Sequence, residues 1–151
     1  MTGRRLETDA DIDGLLARTK RIAVLGIKTE AQGDQPAFTV PQYLAGAGFD
    51  VVPVPVYYPE VTTILGRPVY RRLVDVPGDV DLVDVFRRSR DVPGHLDDIL
   101  AKRPHAVWLQ LGIRNDAIAD RLVAEGIEVV QDRCILVEHR RWLGARTHGH
   151  R

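Results

Sequence analysis

Five short stretches of this sequence carry side chains suited to phosphate, thiol or amide chemistry. The first runs from Gly26-Ile27-Lys28 to Gln35-Pro36-Ala37-Phe38 and leads into a proline-containing helical segment. Free amides at a helix start attract anions, and a lysine adds charge. The competing reading is a plain strand-to-helix connection with a solvated lysine. The second stretch, Val54-Pro55-Val56-Tyr57, offers an apolar ledge for a flat ring, or simply a turn. The third, Phe86-Arg87-Arg88-Ser89-Arg90, places a guanidinium where it can meet a phosphate with two hydrogen bonds, unless the arginines are ordinary surface. In the fourth, Gln110-Leu111-Gly112-Ile113-Arg114-Asn115, Gly112 permits close backbone approach and a buried Gln110 needs a partner. The fifth, Asp132-Arg133-Cys134, sets the single thiol near a helix start, a position that favours thiolate; inert packing is the commoner fate of a lone cysteine.

Other chemistries are excluded. The 151 residues hold 21 Lys+Arg and 21 Asp+Glu, so no basic excess is present to neutralise a nucleic acid backbone. One cysteine permits neither a disulfide framework nor a Cys-rich zinc site. His95, His105, His148 and His150 show no metal-ligand spacing, and no catalytic role is assigned to His139. No apolar run reaches the ~20 residues of a membrane span, and no apolar stretch follows the N-terminal arginines, so a cytoplasmic location is expected. Both common nucleotide fingerprints, G-x-G-x-x-G and G-x-x-x-x-G-K-[ST], are missing, and the second apolar run ends without an acidic residue for a ribose. A standard NAD dehydrogenase is thereby disfavoured.

The elements that would position these stretches are legible. Apolar, β-branched runs at Ile22–Leu25, Val51–Val54, Val80–Phe86, Ala106–Leu109 and Ile127–Val130 predict strands. Helical periodicity is read over 9–19, 39–47, 92–101, 115–125 and 134–143, with Thr39 and Asn115 as N-caps and Gly126 as a stop. Pro41 is placed in the first turn of its helix. Trp108 is read as core. The alternation predicts one α/β domain: a Rossmann-like, doubly wound sheet of about five mainly parallel strands between two helical layers, with its core over residues 10–143 and a frayed tail from 144 to 151. In such sheets ligands bind beyond the carboxyl ends of the strands, which is where all five stretches fall.

Taken together, Ile22-Ala23-Val24-Leu25-Gly26, Gln35-Pro36-Ala37-Phe38, Val83-Asp84-Val85-Phe86-Arg87, Val107-Trp108-Leu109-Gln110-Leu111-Gly112-Ile113 and Asp132-Arg133-Cys134-Ile135-Leu136-Val137-Glu138-His139 resemble the small stand-alone bacterial CoA-binding domain proteins. These are similar to the CoA-binding N-terminal domain of the succinyl-CoA synthetase α subunit. The resemblance implies that the chain binds coenzyme A or an acyl-CoA. It implies pyrophosphate contacts at Gly26, Ile27, Lys28 and Phe38, and adenosine contacts at Val54, Pro55, Phe86 and Arg87. A pantetheine path would pass Gln110, Gly112, Ile113 and Asn115 towards Arg133 and Cys134. Two positions depart from the family: Ala37 where relatives often carry serine, and Val54-Pro55-Val56 where they commonly read Val-Asn-Pro. No phosphorylated-histidine domain or nucleotide-binding module accompanies the domain, so a binding protein without visible catalytic apparatus is expected, as a monomer or homodimer. The alternatives are an enzyme acting on a CoA thioester through Cys134, and a nucleotide-dependent oxidoreductase.

Overall fold

The computed structural model describes residues 3–149, with side chains through Arg146. Five parallel strands form the central sheet: β1 (Arg21–Leu25), β2 (Asp50–Val54), β5 (Leu82–Val85), β6 (Ala106–Leu109) and β7 (Glu128–Val130). A two-stranded hairpin of β3 (Thr63–Ile64) and β4 (Arg67–Pro68) sits outside that sheet. The strand order β2-β1-β5-β6-β7 confirms the Rossmann-like topology. The chain winds outward from β1 in one direction and then restarts at β5 on its other side, so the order reverses between β1 and β5. Their register pairs Leu25 with Val85, which leaves Gly26 and Phe86 side by side at the switch point.

Alternation along the strands divides the core into two layers. Ala23, Leu25, Val83, Val85, Val107 and Leu109 face one side and pack with Ile99, Ile118 and Leu122 from α3 (Leu96–Lys102) and α4 (Asp116–Ala124). Ile22, Val24, Leu82, Ala106 and Trp108 face the other, covered by α1 (Asp9–Arg18), α2 (Pro36–Gly46) and α5 (Ile135–Gly149). Fully buried Trp108 is core, as its apolar surroundings in the sequence suggest.

Several boundaries differ from the sequence reading, each for a physical reason. Helix α2 begins at Pro36, not near Thr39. Pro36 occupies the first position, where its missing amide costs nothing, and Pro41 lies inside the helix. Residues 89–95 form 3₁₀ turns that precede α3, because Pro93 interrupts regular helical bonding. Leu6, upstream of the expected core, is buried, and Arg5 bridges in parallel to Val129, so the N-terminal segment extends the β7 edge. Helix α5 continues past Leu143 to Gly149, where a frayed tail was expected; residues 150 and 151 lie outside the described residues. Asn115 caps α4 as predicted, its side chain accepting from the Ile118 amide at 3.1 Å. No helix among the described residues is long and apolar enough to cross a membrane.

Candidate functional site

The site is assembled around the switch point. Gly26 has φ +87°, and a Cβ there would lie 2.4 Å from the Phe86 carbonyl oxygen and 3.2 Å from Arg87 Cδ. The close approach that Gly26 permits is therefore to the neighbouring strand end, and the Arg87 stem passes across it. Ile27 and Phe38, expected beside a pyrophosphate, are buried in the α2-side core.

Lys28 is positioned by an indirect consequence of Pro41. A residue at position 41 would ordinarily donate its amide to the Ala37 carbonyl, four residues earlier. Proline has no amide, and the Ala37 carbonyl instead accepts from the Lys28 amide at 3.0 Å. This bond ties the β1–α2 loop to the helix it precedes. The Lys28 ammonium reaches the Gln35 side chain, and Gln35, the residue before the helix, provides no side-chain cap. The positive end of α2 thus opens at Pro36 and Ala37 with a lysine beside it.

Arg87 is held more firmly. Its Nε donates to His95 Nε2 at 3.2 Å and its Nη1 to the Tyr57 hydroxyl at 3.3 Å. The guanidinium also lies 5.3 Å from the Tyr57 ring centroid, and Nη2 is 3.8 Å from Asp91. The Arg87 bond lowers the Tyr57 hydroxyl pKa. Burial, then the Arg87 charge, holds the His95 imidazole below its ordinary value, which favours the neutral acceptor form.

The opposite wall is built from the ends of β6 and β7. Buried Gln110 finds its partner in the first amide of α5: its Oε1 accepts from Ile135 at 3.1 Å. Gly112, at φ +84°, donates to Asp132 Oδ1 at 2.7 Å, and Asp132 donates back to the Ile113 carbonyl at 3.1 Å. Trp108 Nε1 donates to the Arg133 carbonyl at 2.8 Å, fixing the turn that presents half-buried Cys134.

These walls enclose an open cavity of about 570 Å³. Of the residues singled out in the sequence, Lys28, Phe86, Arg87, Gln110, Gly112, Ile113 and Cys134 line it. Gly26, Ile27, Phe38, Val54, Pro55, Asn115 and Arg133 are not among its lining residues. Val54 and Pro55 are buried beneath the β2 end. Asn115 is spent on the α4 cap and on the Ser89 carbonyl, and Arg133 turns towards the Glu7 carbonyl at 2.8 Å and Glu138 at 3.6 Å. Arg133 lines a neighbouring depression of about 460 Å³ that shares Leu111 and Cys134 with the cavity. Gln35, Pro36, Ala37, Arg88, Ser89 and Leu111, which belong to the same stretches of sequence but not to its candidate contacts, complete the lining. The preference for proline at the first helical position would have found Pro36. Nothing local marks Leu111, whose exposed side chain stands at the rim.

Two titratable groups lie away from the cavity wall. His139 is buried against Phe49 and Trp142 and shares a 2.7 Å hydrogen bond with the Tyr43 hydroxyl; burial lowers its pKa. Asp84 is fully buried at the centre of β5 between Val24 and Trp108, and neither carboxyl oxygen has a hydrogen-bond partner. Burial alone pushes its pKa well above the ordinary carboxylate value. Among the described residues no cluster of three or more His, Cys, Asp or Glu side chains is placed to hold a metal ion.

Residues 20–140 match the family model described as a CoA binding domain. The chain belongs to that family. It is 33% identical to the uncharacterized protein YneT of Bacillus subtilis over 130 residues, covering 86% of this chain and 93% of that protein. Among solved structures it is similar to a Thermus thermophilus protein known as cell-free ID.343, at TM-score 0.82 and 38% identity over 90% of this chain and 99% of that one. A hypothetical protein from Pyrococcus horikoshii matches at TM-score 0.81 and 32% identity, over 91% and 94% of the two chains. Both solved structures share this fold over about nine-tenths of this chain.

Proposed function

We propose that this protein binds coenzyme A or an acyl-CoA in the cavity at the carboxyl edge of its sheet. The observation that carries the reading is the convergence, around one 570 Å³ space, of an uncapped helix start, a lysine, a fastened arginine and an apolar channel leading to a thiol. Phosphate groups fit the end formed by Pro36, Ala37, Lys28 and Arg87, where the Ala37 amide, the helix dipole and two cations favour negative charge. The pantetheine arm, apolar with two amides, fits the wall of Phe86, Gln110, Leu111 and Ile113, and its thiol end points to Cys134. Ala37 supplies no hydroxyl, so the anion is held by backbone and cations. Family membership supports the ligand class, and the arginine offers the means of reading a terminal phosphate.

Calorimetric titration with CoA, 3′-dephospho-CoA and NAD tests the reading. CoA is expected to bind with micromolar affinity, about −8 kcal/mol, and NAD far more weakly. Weaker binding of the dephospho compound would assign the 3′-phosphate to an arginine. A folded protein that fails to bind CoA overturns the proposal.

A further inference from the structure

We propose that His95 is the positioning residue for Arg87: its neutral imidazole aims the guanidinium into the cavity, so that phosphate binding weakens as the imidazole takes up a proton. This rests on the reading that Arg87 meets a ligand phosphate. The geometry comes from two segments that meet only in the fold. Arg87 leaves the end of β5, and the 3₁₀ turns over 89–95 bring His95 back beside it, Nε to Nε2 at 3.2 Å. An arginine N–H can only donate, so this bond exists only while His95 Nε2 keeps its lone pair and the ring proton sits on Nδ1. A protonated His95 presents N–H to N–H and one positive charge to another. Arg87 then loses the partner that holds its Nε, and exposed Tyr57 and Asp91, at 3.8 Å from Nη2, are left to orient it.

Several charges face His95. Arg87 opposes its protonation, while Asp98 from α3 and Asp91 from its own turn favour it. Arg71, Arg72 and Asp97 line the same cleft of about 450 Å³. Asp98 is committed to the Leu73 and Val74 amides at 2.7 and 3.1 Å, and Arg71 to the carbonyls of Tyr57, Tyr58 and Val61. Half-burial adds to the opposition from Arg87, so the neutral form is the resting state and acid is the perturbation.

The test is CoA titration between about pH 5 and pH 8.5, across the histidine range, on the natural chain, His95→Leu, His95→Gln, Arg87→Ala and the double variant Arg87→Ala/His95→Leu. Dividing the natural affinity by the variant affinity at each pH cancels the ionisation of the ligand's own phosphates. At the alkaline end His95→Leu is expected to bind about five- to tenfold more weakly, the worth of one ordinary hydrogen bond. The deficit should vanish at the acid end. His95→Gln offers an acceptor oxygen that does not titrate, so it should retain alkaline affinity and outbind the natural chain in acid. In the Arg87→Ala background, removal of His95 should change nothing. A deficit that is the same at every pH, or that persists without Arg87, reduces His95 to packing and overturns the inference. If circular dichroism shows His95→Leu unfolded, the natural-to-Gln ratio decides, and a flat ratio is equally fatal. Absence of CoA binding by the natural chain at any pH would instead overturn the functional reading.

Discussion

The two ends of the sheet contain similar residues and use them differently. At the amino end, the Asp81 carboxylate accepts the amides of Lys20 and Arg21, both at 2.9 Å. Arg21 donates to the Pro77 and Asp79 carbonyls and pairs with Asp50, which also holds Arg67. Lys102 donates to the carbonyls of Val76 and Gly78. Arg21, Arg67 and Lys102 each close a loop onto the sheet. At the carboxyl end, Arg87 is fastened by histidine and tyrosine rather than by a close carboxylate, and α2 opens without a side-chain cap. Charge at a sheet edge is therefore not the mark of a site. What distinguishes the carboxyl end is that Lys28 and Arg87 border a cavity with their nearest hydrogen-bond partners neutral, Asp91 standing at 3.8 Å from Arg87.

The glycines give the sharpest way to break this comparison. Gly26→Ala forces a Cβ to 2.4 Å from the Phe86 carbonyl at φ +87°. Left-handed strain and steric overlap together should cost about 3 kcal/mol or more, read by urea unfolding. Gly112→Ala, at φ +84° with nothing within 4 Å of its Cβ, should cost only about 1–2 kcal/mol. Equal costs would mean that the switch point is not the closed junction described here.

Much of this was legible in the sequence. Each of the five strands is an apolar run bounded by Gly, Pro or Asp, and their ends are offset by one residue, or by two at the start of β5, which begins at Leu82 rather than Val80. The carboxyl-edge rule then gathered Lys28, Phe86, Arg87, Gln110, Gly112, Ile113 and Cys134 at one place. What the sequence does not display is which polar groups are spent on the fold itself. Asn115 reads both as a helix cap and as a ligand contact, and the fold spends it on α4, whereas Gln110 lines the cavity while its side chain accepts from the first amide of α5. The start of α2 was misplaced because two prolines competed for the first turn. Pro36 holds it, and Pro41 is tolerated because Lys28 answers the carbonyl that it leaves free. His95 lies eight residues beyond Arg87, a separation that implies contact only once the 3₁₀ turns are known.

Midway between the two ends, Asp84 tests a region that belongs to neither. Its folded pKa is raised by burial, while the unfolded value is ordinary. The sign follows: its proton stabilises the fold fully below the unfolded pKa, near 4, and that contribution is lost as pH rises towards the folded value. Relative to Asp84→Asn, which does not titrate, the natural chain should therefore lose up to about 1.4 kcal/mol of stability per pH unit over that window. Urea unfolding of both chains at several pH values reads this directly. Parallel stability curves would show that the carboxyl group is answered in solution.

The ligand arm of the comparison is smaller in energy and more direct. Arg87→Ala should weaken CoA binding by about tenfold to a hundredfold, the range for charge-assisted bonds to phosphate. Arg67→Ala at the amino end removes an exposed ion pair with Asp50 and should leave CoA affinity unchanged, with at most about 1 kcal/mol of stability lost. If both arginines weaken binding alike, a general field rather than a site attracts the ligand, and the dependence on salt should then be equally steep for both.

The subtlest difference concerns Pro41, which has no counterpart at the amino end. Pro41→Ala supplies an amide that competes with Lys28 for the Ala37 carbonyl. A carbonyl oxygen can accept two donors, so the fold should survive with a net stability change of under about 1 kcal/mol. The consequence is local. The Lys28 amide should exchange its hydrogen faster with solvent, and CoA affinity should fall about two- to threefold as the loop loses its anchor, less than one neutral hydrogen bond is worth. Unchanged Lys28 protection would mean that the β1–α2 loop is held by the Thr29–Gln32 capping interactions alone. The proline would then serve the helix and not the site.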